Sequence, residues 1–147
     1  MRNAPRSLHH EIDRIFPSVG VGAMVIRGNR VLLGKRKGDH GAGSYAWCGG
    51  GLEFGESLEE AAERELLEES GMVAARLSFL CVSNVREYGR HYVDFEFVVE
   101  ALGEPEVREP DKVESWGWYD LDALPSPIFK PVEIAINSYR SGVIYNP

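Results

Sequence analysis

Gly50-Gly51-Leu52-Glu53-Phe54-Gly55-Glu56-Ser57-Leu58-Glu59-Glu60-Ala61-Ala62-Glu63-Arg64-Glu65-Leu66-Leu67-Glu68-Glu69-Ser70-Gly71-Met72 sets a glycine-rich turn directly before a segment dense in carboxylates. Residues 58–69 hold no Gly, Pro or β-branched residue and are rich in Leu, Ala and Glu, a composition that favours a helix. Ser57 with Glu60 makes a capping box at its start, and Gly71 supplies the stop. Leu58, Ala61, Ala62 and Leu66 form the stripe to be packed. Glu65, Glu68 and Glu69 stand at i, i+3 and i+4 and converge on one end of one face, with Arg64 placed to orient a neighbouring carboxylate. Like charges that close are best tolerated around a cation. The segment therefore reads as a hard-metal site built to hold a phosphate-bearing ligand.

Magnesium takes octahedral oxygen ligands, keeps several waters and is usually held by a few carboxylates plus substrate phosphates. Glu65 and Glu69, one turn apart, supply carboxylates, and a carbonyl of the Gly49-Gly50-Gly51 turn can add an oxygen. For Glu59, Glu60 and Glu63 a solvated helix face is the preferred reading.

Outward from the helix, residues 19–26, 31–33, 46–48 and 77–84 read as strands, with a turn at Gly28-Asn29. Residues 34–45 read as a basic, glycine-rich loop. Residues 91–100 alternate, with Val93, Phe95, Phe97 and Val99 on one side and Tyr92, Asp94, Glu96 and Glu100 mostly on the other, the mark of a half-buried strand. Residues 115–119 form a strand with Trp116 and Trp118 on one face. Residues 131–140 form a last helix, with Pro131 in its first turn and Gly142 beyond it. Strands and helices mix without a regular βαβ rhythm, which predicts an α+β arrangement on a mixed sheet.

The chain of 147 residues with 44% apolar residues fits one domain, expected over residues 18–147 behind an arm at 1–17. A formal charge of −7 argues against binding a nucleic-acid polymer or a polybasic membrane contact, although metal ions would still allow nucleotides to bind. No apolar run is long enough to span a bilayer, and residues 1–16 lack a signal core. Cys48 and Cys81 match no zinc or disulfide spacing and read as reduced thiols, hence a cytoplasmic protein.

Around the site, Lys35 and Arg36 are either phosphate contacts, with the Arg fork the better suited, or a solvated edge. Tyr45, Trp47 and Tyr92 are candidates for stacking on a base, core packing being at least as good a reading of Trp47. Phe129 is a candidate wall. Asp94 is either an acceptor for a base amino group or an exposed strand residue.

Gly50, Glu56, Arg64-Glu65-Leu66, Glu68-Glu69 and Gly71-Met72 fill every fixed position of the nudix box, and the chain resembles nudix hydrolases. Val31 through Gly38, Gly41 through Tyr45, Leu52-Glu53-Phe54-Gly55-Glu56, His91-Tyr92-Val93 and Pro110 through Trp116 are similar to the MutT-like nucleoside triphosphate diphosphatases. The resemblance is strongest to the branch containing the mammalian thiopurine-nucleotide diphosphatase, and it covers residues 18 to 125 or so. It implies a nudix α/β/α sandwich, Mg2+ (or Mn2+) as cofactor and a homodimer. It implies Glu65, Glu69 and the Gly49 carbonyl as metal ligands, with Glu68 as a further ligand or water orienter. Glu56 and Arg64 would steady the glutamates, and Gly50 and Gly51 would line the substrate.

The implied reaction is hydrolysis of a nucleoside triphosphate, modified or oxidised bases included, to monophosphate and pyrophosphate. Glu68, or a glutamate from another loop such as Glu87, would take the proton from water. The alternatives are a nudix hydrolase of ADP-ribose or a dinucleotide, and a nucleotide-binding module without catalysis. Cys48 stands where the family often has Pro, Gly51 where it often has a bulkier residue, and Asp94 where the close branch has an uncharged polar one. These departures bear on base preference rather than on hydrolysis.

Overall fold

The computed structural model describes residues 16–38 and 40–147; most of the arm expected at 1–17 lies outside them. The chain runs β1 (Ser18–Arg27), β2 (Arg30–Arg36), β3 (Tyr45–Ala46), β4 (Cys48–Gly51), α1 (Leu58–Ser70), β5 (Val73–Glu87), β6 (Arg90–Leu102), β7 (Val113–Asp120), α2 (Lys130–Ser141) and β8 (Tyr145–Asn146). The sheet order is β3-β2-β1-β6-β5-β8, with β4 on β1 and β7 on β2. It is mixed: β1 runs parallel to β6 and antiparallel to β2 and β4. Among the described residues no helix is long and apolar enough to cross a membrane.

Strand parity makes the sandwich. Val21, Ala23 and Val25 of β1, Leu32 of β2, and Phe97 and Val99 of β6 pack with Ala61, Ala62 and Leu66 of α1. Met24, Val31 and Leu33 project to the other face, where Val132, Ala135 and Ile136 of α2 cover them. Helix α1 follows its sequence signals. Ser57 accepts from the Glu60 N–H at 3.0 Å and Glu60 answers the Ser57 N–H at 2.9 Å. Gly71 closes the helix at φ 74°, its N–H on the Leu67 carbonyl. Helix α2 has no side-chain cap at Phe129; the Tyr88 hydroxyl accepts from the Lys130 N–H at 3.0 Å instead, which satisfies one of its orphan donors.

Three readings change. Gly49-Gly50-Gly51, read as a turn, lie in strand β4 and pair with β1. Residues 34–45 are not all loop: β2 continues to Arg36, and Tyr45–Ala46 pair back onto it. Nor is β6 half-buried with an exposed polar side. Asp94 and Glu96 are 8% and 2% exposed, because β6 lies between β1 and β5 inside the sheet and the two carboxylates fold over Gly20 and Gly22 of β1.

Candidate active site

Strand β4 carries the glycines past the C-terminal half of the carboxylate helix. The Gly49 N–H donates to Glu69 Oε1 at 3.2 Å. In a strand the N–H and C=O of one residue share an edge, so the Gly49 carbonyl lies on that side too, away from β1. A Cβ on Gly50 would collide with the Glu65 carboxylate, so glycine there is what lets β4 close on the helix.

Glu65 and Glu69 are 8% and 9% exposed. Burial, then the neighbouring Glu65 carboxylate, pushes Glu69 up to about 9, the behaviour of two carboxylates that want a proton or a cation between them. Among the described residues no three carboxylate, His or Cys side chains close a cage. An open pair plus a backbone carbonyl fits a hard divalent ion that keeps waters and phosphate oxygens.

Arg64 organises this end of the helix. Its Nη2 and Nε reach both Glu56 oxygens at 2.7 and 3.0 Å, Nη1 reaches Glu65 Oε1 at 2.8 Å, and Nη2 reaches the Gly51 carbonyl at 2.9 Å. The Arg64 hydrogen bond holds Glu56 below its ordinary pKa, and Glu56 in turn accepts from the Glu53 N–H at 2.7 Å. Glu68 is apart from this: it is half exposed, 3.3 Å from Arg64, and lines neither of the cavities described next.

Two cavities meet at β4. The smaller, about 350 Å³, is walled by Glu65, Glu69, Arg36, Arg90, Lys112 and the Gly49–Gly51 backbone. The larger, about 780 Å³, lies on the α2 face beneath Tyr88, Tyr92, Phe129 and His40, with Gly20, Gly22, Asp94 and Glu96 at its floor. Arg36, His40, Trp47 and Gly49–Gly51 line both. The Arg36 guanidinium lies 4.0 Å over the Phe129 ring; burial lowers its pKa, with Glu69 working the other way.

Of the residues expected from sequence, Glu65, Glu69, Gly49, Gly50, Gly51, Arg36, Tyr92, Asp94, Trp47 and Phe129 come together here, and Glu87 lines the larger cavity only. Lys35 does not join them. Parity turns it away from Arg36, and its ammonium sits 3.9 Å from Glu114. Tyr45 lines neither cavity and packs edge-on against Tyr119 at 5.8 Å. The exposed-strand reading of Asp94 fails, since its carboxylate is buried.

Sequence reasoning missed Arg90 and Lys112, cations that line the smaller cavity where Lys35 does not. It also missed Glu109, whose Oε2 is 3.1 Å from Lys112, whose Oε1 is buried with no donor among the described residues, and whose charge reaches Glu69. Only long-range pairing brings the 104–112 loop here, so no local signal marks them.

Fold and site together define a sandwich enzyme that sets paired carboxylates in a cation-lined trough beside an aromatic slot. The family model described as NUDIX domain matches residues 17–137, and the chain belongs to that family: it is a nudix hydrolase. It is 33% identical over 117 residues to the ADP-ribose pyrophosphatase of Methanocaldococcus jannaschii, across 78% of this chain and 69% of the relative. It is 36% identical over 115 residues to the oxidized purine nucleoside triphosphate hydrolase of Danio rerio, across 69% of this chain but 65%, under two thirds, of the relative. A solved MutT NUDIX hydrolase from Burkholderia pseudomallei superposes with TM-score 0.79 at 38% identity, across 84% of this chain and 98% of that one.

Proposed function

We propose that the protein hydrolyses nucleoside triphosphates to nucleoside monophosphate and pyrophosphate with Mg2+ or Mn2+. The observation that carries this reading is the junction: an aromatic-walled slot opens across Gly49–Gly51 into a trough lined by carboxylates and cations. The base lies under Tyr92 and Phe129, and the phosphates run past Arg36 towards Arg90 and Lys112. Glu65, Glu69 and the Gly49 carbonyl hold the metal, which when bound neutralises phosphate charge and lowers the pKa of a bound water. Arg64 fixes the Glu65 carboxylate through the contact at 2.8 Å.

Water oxygen attacks the α-phosphorus, the α–β bridging P–O bond breaks, pyrophosphate departs, and the water proton passes to a carboxylate at the trough. Glu109, 3.1 Å from Lys112 of the trough wall, is one candidate, and Glu68 and Glu87 are the others. Single Glu→Gln replacements with pH–rate profiles identify the acceptor.

A second reading, hydrolysis of ADP-ribose, is favoured by the Methanocaldococcus relative. Incubation with Mg2+ and a panel of nucleoside triphosphates and ADP-ribose separates the two: monophosphate plus pyrophosphate supports the first, and cleavage of ADP-ribose alone refutes it. The same reading has the protein act as a cytoplasmic homodimer, which light scattering on the purified chain checks for its oligomeric part.

A further inference from the structure

On the floor of the larger cavity Tyr92, Asp94 and Glu96 stand at alternate positions of β6 and therefore on one face. Opposite them, residue for residue, are Ser18, Gly20 and Gly22 of β1. A Cβ on Gly20 would come 2.8 Å from Asp94 Oδ1, and one on Gly22 would strike the Glu96 carboxylate. The two glycines leave the space into which the two acids fold.

The two acids differ in how they are satisfied. Glu96 Oε2 accepts from the Trp47 indole at 2.7 Å. Burial raises both acids, Glu96 the more strongly and further through the Asp94 charge, while a hydrogen bond between the two carboxyl groups works to lower Asp94. Asp94 Oδ2 is buried and receives no hydrogen bond from any nitrogen or hydroxyl among the described residues, in a side chain 8% exposed that walls the cavity. A buried acceptor without a donor costs stability; at the end of a slot it is a group waiting for a ligand N–H.

Aromatic rings flank the same space. Tyr88 and Phe129 stack at 5.2 Å, and His40 and Tyr92 at 6.3 Å. Tyr88 is held at φ 57°, a conformation rare for a bulky residue, at the tip of the β5–β6 hairpin.

We propose, on the reading of this cavity as the base slot, that Asp94 is the specificity-determining residue and selects a 2-amino-6-oxopurine, whose ring N–H and neighbouring amino group pair with its carboxylate, with Glu96 as a positioning residue. A carboxylate matches two adjacent donors. An adenine edge offers an acceptor beside its amino group and is repelled. Hypoxanthine keeps the ring N–H and loses the amino donor.

The test is calorimetric binding of guanosine, inosine and adenosine monophosphates without metal, so that it does not depend on turnover. The wild type should bind guanosine monophosphate at least about tenfold more tightly than inosine monophosphate, the discrimination expected of a buried acceptor left unpaired. Asp94→Asn should bring that ratio to within about twofold. Glu96→Gln, whose amide oxygen still accepts from Trp47, should keep it. Equal binding of the guanosine and inosine ligands by the wild type overturns the proposal, as does a ratio unchanged in Asp94→Asn. Guanosine preference without turnover of any triphosphate refutes the hydrolysis reading and supports this one. Triphosphate turnover indifferent to the base does the reverse.

Discussion

Arg64→Lys keeps the positive charge on α1 and removes the fork. The guanidinium spans two Glu56 oxygens, Glu65 and the Gly51 carbonyl, all within 3.0 Å, with Glu68 at 3.3 Å on the exposed rim. Those acceptors lie around a plane. A single ammonium cannot reach both sides of it, so lysine retains at most two of the four short contacts and forfeits two charge-assisted bonds. At about 1–1.5 kcal/mol each, discounted for a side chain that is 21% exposed, the loss is about 2–3 kcal/mol. For a chain of this length that lowers Tm by about 4–12 °C. Denaturant unfolding and calorimetry on the metal-free protein measure it. A double-mutant cycle with Glu56→Gln should return a coupling of about 1 kcal/mol or more. Loss under about 0.5 kcal/mol with no coupling to Glu56 would falsify the claim that this cradle organises the carboxylate end of the helix.

Glu69→Gln should lower turnover about a hundredfold or more, as expected for loss of a metal-binding carboxylate, while raising the metal-free Tm at pH 8. The sign follows from Glu69 at about 9 in the fold against its ordinary 4.5. Its contribution to stability is present below 4.5 and fades as pH climbs from 4.5 to about 9, a loss glutamine does not suffer; a lower Tm for the variant at pH 8 contradicts it. Metal binding to the wild type at pH 7 should release up to about one proton, read by calorimetry in buffers of different ionisation enthalpy; no release would place the ion elsewhere. Phe129→Ala removes the platform under Arg36 and the partner of Tyr88, and KM for the nucleotide should rise on the order of tenfold with kcat little changed. Gly22→Ala should cost about 1–3 kcal/mol in urea unfolding, since its methyl group meets Glu96 where Trp47 pins it; a neutral result shows that the floor is soft.

How much of this could be read in advance depends on how local the cause is. The capping box, the Gly71 stop and the spacing of Glu65 and Glu69 all lie within one helix and its flanks, so α1 and its carboxylates were legible. The sandwich was legible through the nudix resemblance, and the α+β mixture through periodicity. The buried acids were not, because alternation along β6 marks two faces without saying what covers each. That answer lies in the parallel register with Gly20 and Gly22, far away in sequence. Lys35 and Arg36 looked equivalent, yet β2 turns one towards Glu114 and the other into the trough. Arg90, Lys112 and Glu109 arrive by strand pairing and loop return, for which residues near them in sequence give no sign.

The glycines of β1 have an evolutionary consequence. Gly20 and Gly22 hold the absent volume of Asp94 and Glu96, so size on one strand is written as a complement on the next. A lineage shifting to another ligand cannot enlarge one strand without shrinking its neighbour. Change at this floor must therefore come as paired substitutions, and variant libraries that randomise β6 alone will explore only half of the accessible pockets.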